Sequence, residues 1–257
     1  MLNKMLSSIG IGGARVDTKL DTSTLRQGEL ATGTVVVFGG KVEQEINDIY
    51  LEVKTEYRKE IDDRKFWVPV TIRKFRVAER FVIGAGELKE IPFSFILPKE
   101  TPLTVGGTKV WIETDLDIKN AVDSGDKDLL SVQPSREVNA VLTTMQKMGF
   151  VPKEIVNKQD RRGKALNSLS FVQEFEYKPM TGQFRGILDE IELQFYPQSD
   201  QETVVLMQVD RKARGLAGFL EEALEMDETF VRFIIKPTNV DSIPDMVQDL
   251  IYKHSHR

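Results

Sequence analysis

The sequence predicts a mainly β protein with two consecutive β-sandwich domains, residues 1–132 and 133–257, a short N-terminal helix and further helices attached to the second domain. Short runs of alternating polarity recur along the first half and end at glycine- or proline-rich turns, as strands of an antiparallel sandwich do. At Pro134 the pattern changes to a helical repeat, and more strand-like runs follow. A chain of 257 residues is long enough for two domains of ordinary size.

The first predicted domain opens with an apolar repeat over residues 1–9, which is typical of a short amphipathic helix. We expect this helix to pack on its own domain, because a single Lys4 is little basic charge for a membrane anchor. Docking on a partner or a membrane is the alternative. Seven strands are then predicted, at about 13–20, 28–38, 46–58, 66–83, 88–97, 108–119 and 128–133.

The run 66–83 changes phase along its length. Apolar residues up to Ile72 share one parity, and those from Phe75 onward share the other. Because strand side chains alternate between two faces, such a shift predicts a β-bulge, or a strand that crosses between sheets, near Arg73 and Lys74.

The second predicted domain opens with a helix that starts after Pro134 and stops at Gly149. Strands are predicted at about 150–157, 168–177, 187–196, 203–210 and 230–235. Apolar residues at helical spacing predict two more helices, at about 216–226 and 243–253.

The composition excludes several classes of chemistry. The chain has no cysteine, which rules out disulfides, thiolate zinc sites and cysteine nucleophiles and suits a reducing cytosol. The two histidines, His254 and His256, stand at the C-terminus, where a held catalytic geometry is unusual. We therefore expect neither Ser-His-Asp hydrolysis nor histidine-rich metal catalysis, and no cofactor. An enzyme is the third alternative and would need an Asp/Glu pair facing each other in a cleft.

Charge and hydropathy limit the kinds of partner and location that we expect for this chain. The net charge of −5 is spread over both halves, so the clustered positive charge that nucleic-acid binding requires is not expected. We expect no transmembrane helix, since no apolar run approaches the necessary length, and no signal peptide at the start. These observations predict a cytoplasmic location.

One acidic group is a candidate cation site. Glu113, Asp115 and Asp117 alternate along one predicted strand, so their carboxylates point to the same face and could bind a hard cation such as Ca²⁺. The favoured interpretation is a solvated outer face paired with basic cross-strand neighbours, for which Lys74 and Arg76 are plausible.

Two motifs resemble known families. The alternation from Ile91-Pro92-Phe93 to Val110-Trp111-Ile112, across a glycine-rich turn, resembles the N-domain of arrestin-like proteins. Residues 209–228, VDRKARGLAGFLEEALEMDE, closely resemble the C-terminal signature of bacterial sporulation-control proteins of the SpoOM family. The start of the chain and the helix ending at Phe150 resemble the same family. This resemblance implies an arrestin-like fold and a non-enzymatic regulatory role early in endospore formation, through protein contacts in the cytoplasm.

The signature segment is the first candidate surface for such a partner. Its basic side chains, Arg211, Lys212 and Arg214, are opposed by the acidic Glu221 and Glu222. A solvated helix end is the alternative interpretation. The glycines match no phosphate-binding motif.

The C-terminal helix is the second candidate. Ile243, Val247, Leu250 and Ile251 could lie in a groove of a partner or of a second protomer, although packing within the chain is the default. A homodimer is thus one form of contact left open. The competing function is a β-sandwich module that binds a small ligand, a carbohydrate or a lipid head group.

Overall fold

A computed structural model of the chain describes residues 13–62, 64–116, 124–160, 166, 168–212 and 228–255. In this part of the chain the protein is mainly β. Its strands are β1 (Arg15–Leu20), β2 (Thr24–Arg26), β3 (Leu30–Phe38), β4 (Gln44–Ile46), β5 (Ile49–Ile61), β6 (Arg64–Ala78), β7 (Phe81–Ile83), β8 (Leu88–Ile96), β9 (Val110–Leu116), β10 (Ser124–Gln133), β11 (Phe150–Gln159), β12 (Phe171–Pro179), β13 (Leu188–Ser199), β14 (Glu202–Arg211) and β15 (Glu228–Ile235). Two helices are described, α1 (Arg136–Lys147) and α2 (Ile243–Ser255), and a 3₁₀ turn, Pro237–Ser242, precedes α2.

The described elements form two compact units. The first contains the described parts of Met1–Glu56, Pro69–Thr104 and Lys109–Gln133. The second contains those of Tyr57–Val68, Val105–Thr108 and Pro134–Arg257, so the outer end of the β5–β6 hairpin belongs to it.

In the first unit β4 and β7 form a separate two-stranded sheet, and two larger sheets contact each other through their side chains. One has the order β1-β3-β8, and the other runs β5-β9-β10-β2 with β6 on the free side of β5. The hydroxyls of Thr18 on β1 and Thr114 on β9 are hydrogen-bonded at 2.7 Å between the sheets. Phe75 on β6 stacks on Phe95 of β8, with 4.3 Å between ring centroids. Six of the seven strands predicted for this half are confirmed. The predicted strand 66–83 is divided into β6 and β7, and two strands of three residues each, β2 and β4, are added.

Alternation along β5 explains how its inner face reaches the core. Ile49, Leu51 and Val53 are fully buried, while Tyr50 and Glu52 between them are only partly covered. Burying each large apolar side chain contributes about 1.5–3 kcal/mol to folding, so this strand holds its register firmly.

In the described sheet of the second unit, β15-β14-β13-β12-β11 are antiparallel neighbours, and β11 pairs in parallel with the outer end of β5 at Lys158 and Arg58. All five of its predicted strands are confirmed. A second sheet for this unit does not occur among the described residues, and the prediction of a second sandwich stays a prediction.

Helix α1 leads into this sheet. The hydroxyl of Ser135 accepts a hydrogen bond from the Val138 N–H at 3.4 Å and caps the first turn. Val141 and Met145 are fully buried. Gly149 ends the helix with a φ of +86°, and a Cβ atom there would lie 2.5 Å from the Thr181 carbonyl oxygen. Only glycine meets both requirements, and the predicted stop at Gly149 is confirmed.

Two predicted helices lie outside the described residues: the one at 1–9 and the one at 216–226. Among the described residues, no helix is long and apolar enough to cross a membrane.

Candidate protein-binding surface

The predicted cation site lies on the outer face of the first unit. The carboxylate of Glu113 accepts a hydrogen bond from the Trp111 indole N–H at 2.9 Å and another from the Lys54 ammonium at 3.0 Å. The indole N–H, together with Lys54, lowers the pKa of Glu113 against the opposing effect of burial. Glu113 is therefore held by a cross-strand cation, and that cation is Lys54.

Lys74 and Arg76, the basic residues expected to pair with Glu113, form ion pairs with other carboxylates. The Lys74 ammonium lies 2.8 Å from Glu52, and Arg76 lies 3.3 Å from Asp48. Burial raises the pKa of Glu52, but hydrogen bonds from Lys74 and Thr71 outweigh it and leave that pKa lowered. Lys54 also lies 3.6 Å from Glu52 and so links Glu52 to Glu113. We call Glu52, Lys54, Lys74, Trp111 and Glu113 the charge ladder.

Of the three carboxylates in the predicted cation site, the structure describes that of Glu113. Asp117 and the side chain of Asp115 lie outside the described residues. Across the residues that the structure describes, no group of three or more histidine or acidic side chains could hold a metal ion.

A different pair of carboxyl groups is perturbed in the first unit. Asp126 and Asp128 alternate on β10, so both point to the same face. One carboxylate oxygen of Asp126 accepts the Thr18 backbone N–H at 2.7 Å. Asp128 is half-buried, and its Oδ2 is buried without a hydrogen-bond partner among the described residues. Burial, followed by the neighbouring charge of Asp126, raises the pKa of Asp128 to about 6.

The basic end of the signature segment is only partly described. Arg211 is half-buried at the end of β14, and Lys212 is exposed and donates its backbone N–H to the Ile187 carbonyl at 3.0 Å. Arg214, Glu221 and Glu222 lie outside the described residues. This candidate surface stays a prediction.

The apolar stripe of the C-terminal helix packs within the second unit. Ile243, Val247 and Ile251 are fully buried, and Leu250 is half-buried. Helix α2 contacts α1, β14 and β15. In this structure the stripe therefore follows the default interpretation, and the side chains available to a partner lie on the opposite face of the helix.

A surface that the sequence analysis missed lies on β15. This strand stands at one end of the sheet, and within the described residues it pairs only with β14. Val231, Phe233 and Ile235 are buried on one face. On the other face Phe230 is 60% exposed, Ile234 is 39% exposed, and Arg232 between them is exposed. We call Phe230, Arg232 and Ile234 the β15 surface.

Among the described residues, the positions of β14 that lie beside Arg232 carry no charge. Directly opposite Arg232 on β14 is Leu206, and the flanking positions on that strand are Val204 and Gln208. No ion pair involves Arg232 within the described part of the chain. By contrast, Arg58 in the same unit donates twice to Glu154, at 2.7 and 3.0 Å.

Within the described residues, the outer edge of β15 pairs with no strand and carries no proline, lysine or bulge. Natural edge strands are commonly blocked by proline, lysine or a bulge. Pro69 lies in β6 and Pro92 in β8, the latter at an end of its sheet. By contrast, β15 contains neither proline nor lysine and pairs with β14 over eight consecutive positions without a register shift. The sequence shows its alternation, but no sequence signal places the strand at an edge.

Comparisons with known proteins point to one family. Residues 2–213 match the family described as SpoOM protein. The chain is 38% identical over 251 residues to the sporulation-control protein Spo0M of Bacillus subtilis (strain 168), covering 96% of this chain and 95% of that protein. It also resembles the crystal structure of Spo0M from Bacillus subtilis, with a TM-score of 0.82 and 36% identity, covering 95% of this chain and 100% of that chain.

Proposed function

Because this chain belongs to the SpoOM family, we propose that it is a non-enzymatic cytoplasmic regulator of endospore formation that acts through contacts with other proteins. The name of the Bacillus subtilis relative, a sporulation-control protein, supports the biological role. The observation that supports the mechanism is that, among the described residues, the outer edge of β15 pairs with no strand and lies beside exposed apolar side chains.

The proposal includes an arrestin-like fold. The motif that resembles the arrestin N-domain spans β8 and β9 in the first unit. Its apolar residues Phe93, Phe95 and Leu97 are buried. Two sheets linked through Thr18 and Thr114 agree with such a sandwich. The likeness supports an adaptor role only by analogy, since fold does not by itself determine function.

The mechanism we propose is addition of a strand from a partner to β15. A free edge presents backbone N–H and C=O groups that an extended segment can pair with, and neighbouring side chains select the segment. The ladder residues of the first unit satisfy one another, whereas the β15 surface leaves an apolar pair and a cation exposed. Binding, and not bond-breaking chemistry, fits this arrangement.

The test is capture of partners from spore-forming cells by the full chain and by single variants of it. Phe230→Lys and Ile234→Lys each place a lysine on the β15 surface, which discourages strand pairing. Leu129→Lys is the matched control, because Leu129 is 64% exposed on β10 in the other unit. All chains are checked for folding by circular dichroism.

We expect proteins that are captured by the native chain and by Leu129→Lys but lost with both β15 variants. The same two variants should change the number of spores formed when they replace the native chain in cells. An identical set of captured proteins with all four chains would show that β15 is not the contact. If no chain captured a protein above background, the contact mechanism would be wrong, and small-ligand screening would follow.

A further inference from the structure

We infer that the β15 surface recognises an extended segment of another protein in which an acidic residue lies between two apolar residues, each two positions away. This inference rests on the proposed function, since it names the chemistry of the partner at the same edge. It follows from the order of the three exposed side chains on β15: Phe230, Arg232 and Ile234.

The spacing of the partner follows from strand geometry. Residues directly opposite in paired strands share a face, and side chains on one face recur every two residues. A strand added to β15 therefore sets three of its side chains beside Phe230, Arg232 and Ile234. The outer two meet exposed apolar groups, and the middle one meets a guanidinium.

The charge of the partner follows from the surroundings of Arg232. Its cross-strand neighbour Leu206 is apolar, and Val204 and Gln208 on the same strand carry no charge. No described carboxylate forms an ion pair with it. Opposite charges across a strand pair are favourable and like charges are unfavourable, so an acidic residue is the complementary one. A guanidinium can also bind a carboxylate through two parallel hydrogen bonds.

A second copy of this chain fits the surface less well. In an antiparallel pair of two β15 strands, the register that sets Phe230 opposite Ile234 also sets Arg232 opposite its own counterpart. Two like charges would then face each other at the centre of the pair. In that register the apolar side chains face each other but the two Arg232 side chains repel each other, which favours a different protein as the partner.

The experiment selects peptides from a displayed library of random twelve-residue sequences. The full native chain is immobilised for one selection, and the full-length Arg232→Glu variant for another. Peptides that also bind the full-length Phe230→Lys variant are discarded, because a peptide that binds the β15 surface must lose affinity when Phe230 is replaced. Binding of individual synthetic peptides is then measured by fluorescence anisotropy at low and high salt.

We expect the native chain to select an acidic residue flanked by apolar residues at two positions on either side. Arg232→Glu should select a basic residue at the same place. Matched charges should bind about three- to tenfold more tightly than mismatched ones, as an exposed cross-strand pair allows, and salt should reduce the ratio.

The other outcomes overturn the inference, and they differ in what they leave standing. Peptides that need Phe230 but show the same charge preference with both chains would refute the acidic requirement while keeping strand addition at β15. Peptides that bind equally to Phe230→Lys, or no selected peptide at all, would refute both. Formation of a dimer by the native chain that becomes stronger when native and Arg232→Glu chains are mixed, so that opposite charges pair, would assign the surface to a second copy.

Discussion

Replacing Asp128 with asparagine tests how the carboxyl pair of the first unit affects stability. Asp128 shares a face of β10 with Asp126, and burial with the nearby charge of Asp126 raises its pKa to about 6. Asparagine has nearly the same shape and never ionises. It can also donate an N–H to the Asp126 carboxylate, which the ionised Asp128 cannot do. We therefore expect Asp128→Asn to stabilise the protein at neutral pH.

The magnitude follows from linkage between protonation and folding. A pKa that lies at about 6 in the folded state, against an ordinary value of 3.8, corresponds to about 3 kcal/mol of destabilisation above pH 6. Asp128 is only half-buried, so screening by water reduces this to about 1–1.5 kcal/mol. Since the folded chain binds the extra proton between about pH 4 and pH 6, the native protein loses this stability as the pH rises through that window.

The assay is urea unfolding at pH 7.5 and at pH 4, followed by tryptophan fluorescence. Asp128→Asn should be about 1–1.5 kcal/mol more stable than the native chain at pH 7.5 and nearly equal to it at pH 4. Asp249→Asn, on the exposed face of α2, is the control and should change stability by less than about 0.5 kcal/mol. Equal stability of the native chain and Asp128→Asn at pH 7.5, or a gain that persists at pH 4, would refute the reasoning.

Three further predictions concern the second unit, each checked by thermal unfolding. Gly149→Ala should cost more than about 2 kcal/mol of stability, because the new Cβ meets a carbonyl oxygen at 2.5 Å. Gly107→Ala, with the same φ of +86° and nothing within 4 Å, should cost about 1 kcal/mol. Equal losses would show that the close approach at Gly149 is irrelevant. Met145→Ala should cost about 2–5 kcal/mol from its fully buried site, and Met180→Ala, which is 56% exposed, less than about 0.5 kcal/mol; the reverse order would mean that the helix is packed differently. Ser135→Ala should cost about 1 kcal/mol and the smaller Ser135→Gly only about 0.3 kcal/mol, and a similar loss with glycine would contradict the capping role.

The strand pattern of the first unit could be predicted because alternation reports burial directly. The change of phase in β6 is an example. Thr71 and Lys74 are three residues apart, so a regular strand would place them on opposite faces, yet both reach the Glu52 carboxylate at 3.0 and 2.8 Å. On the inner side, Ile72 is buried and Phe75 stacks on Phe95. These contacts confirm the predicted shift near Arg73 and Lys74.

The short strands could not be predicted in the same way. The strands β2, β4 and β7 have three residues each, too few for a period of two to be recognised. The run 66–83 was predicted as one strand, but β6 ends at Ala78 and β7 pairs with β4. The choice of a pairing partner depends on tertiary contacts, which alternation along one strand does not contain.

The candidate surface could be predicted only in part, for a related reason. The apolar residues of α2 are visible in the sequence, and so is the alternation of β15. Whether an apolar residue is covered depends on what packs against it. Helix α1 lies against α2, so Ile243 and Val247 are buried, whereas Phe230 and Ile234 are exposed. Sheet order therefore decides the surface, and it is not encoded in any local pattern.

The contrast between the charge ladder and the β15 surface explains why charge density alone is a poor guide to function here. Glu113 looked like a binding residue in the sequence, yet its carboxylate is already held by Lys54 and Trp111. Arg232 is a single charge on a largely apolar strand, and no described carboxylate pairs with it. A new partner of Glu113 must first displace existing hydrogen bonds, whereas a partner of Arg232 displaces water. A partner of β15 therefore forms new interactions with Arg232, whereas a partner of the charge ladder must replace interactions that already exist.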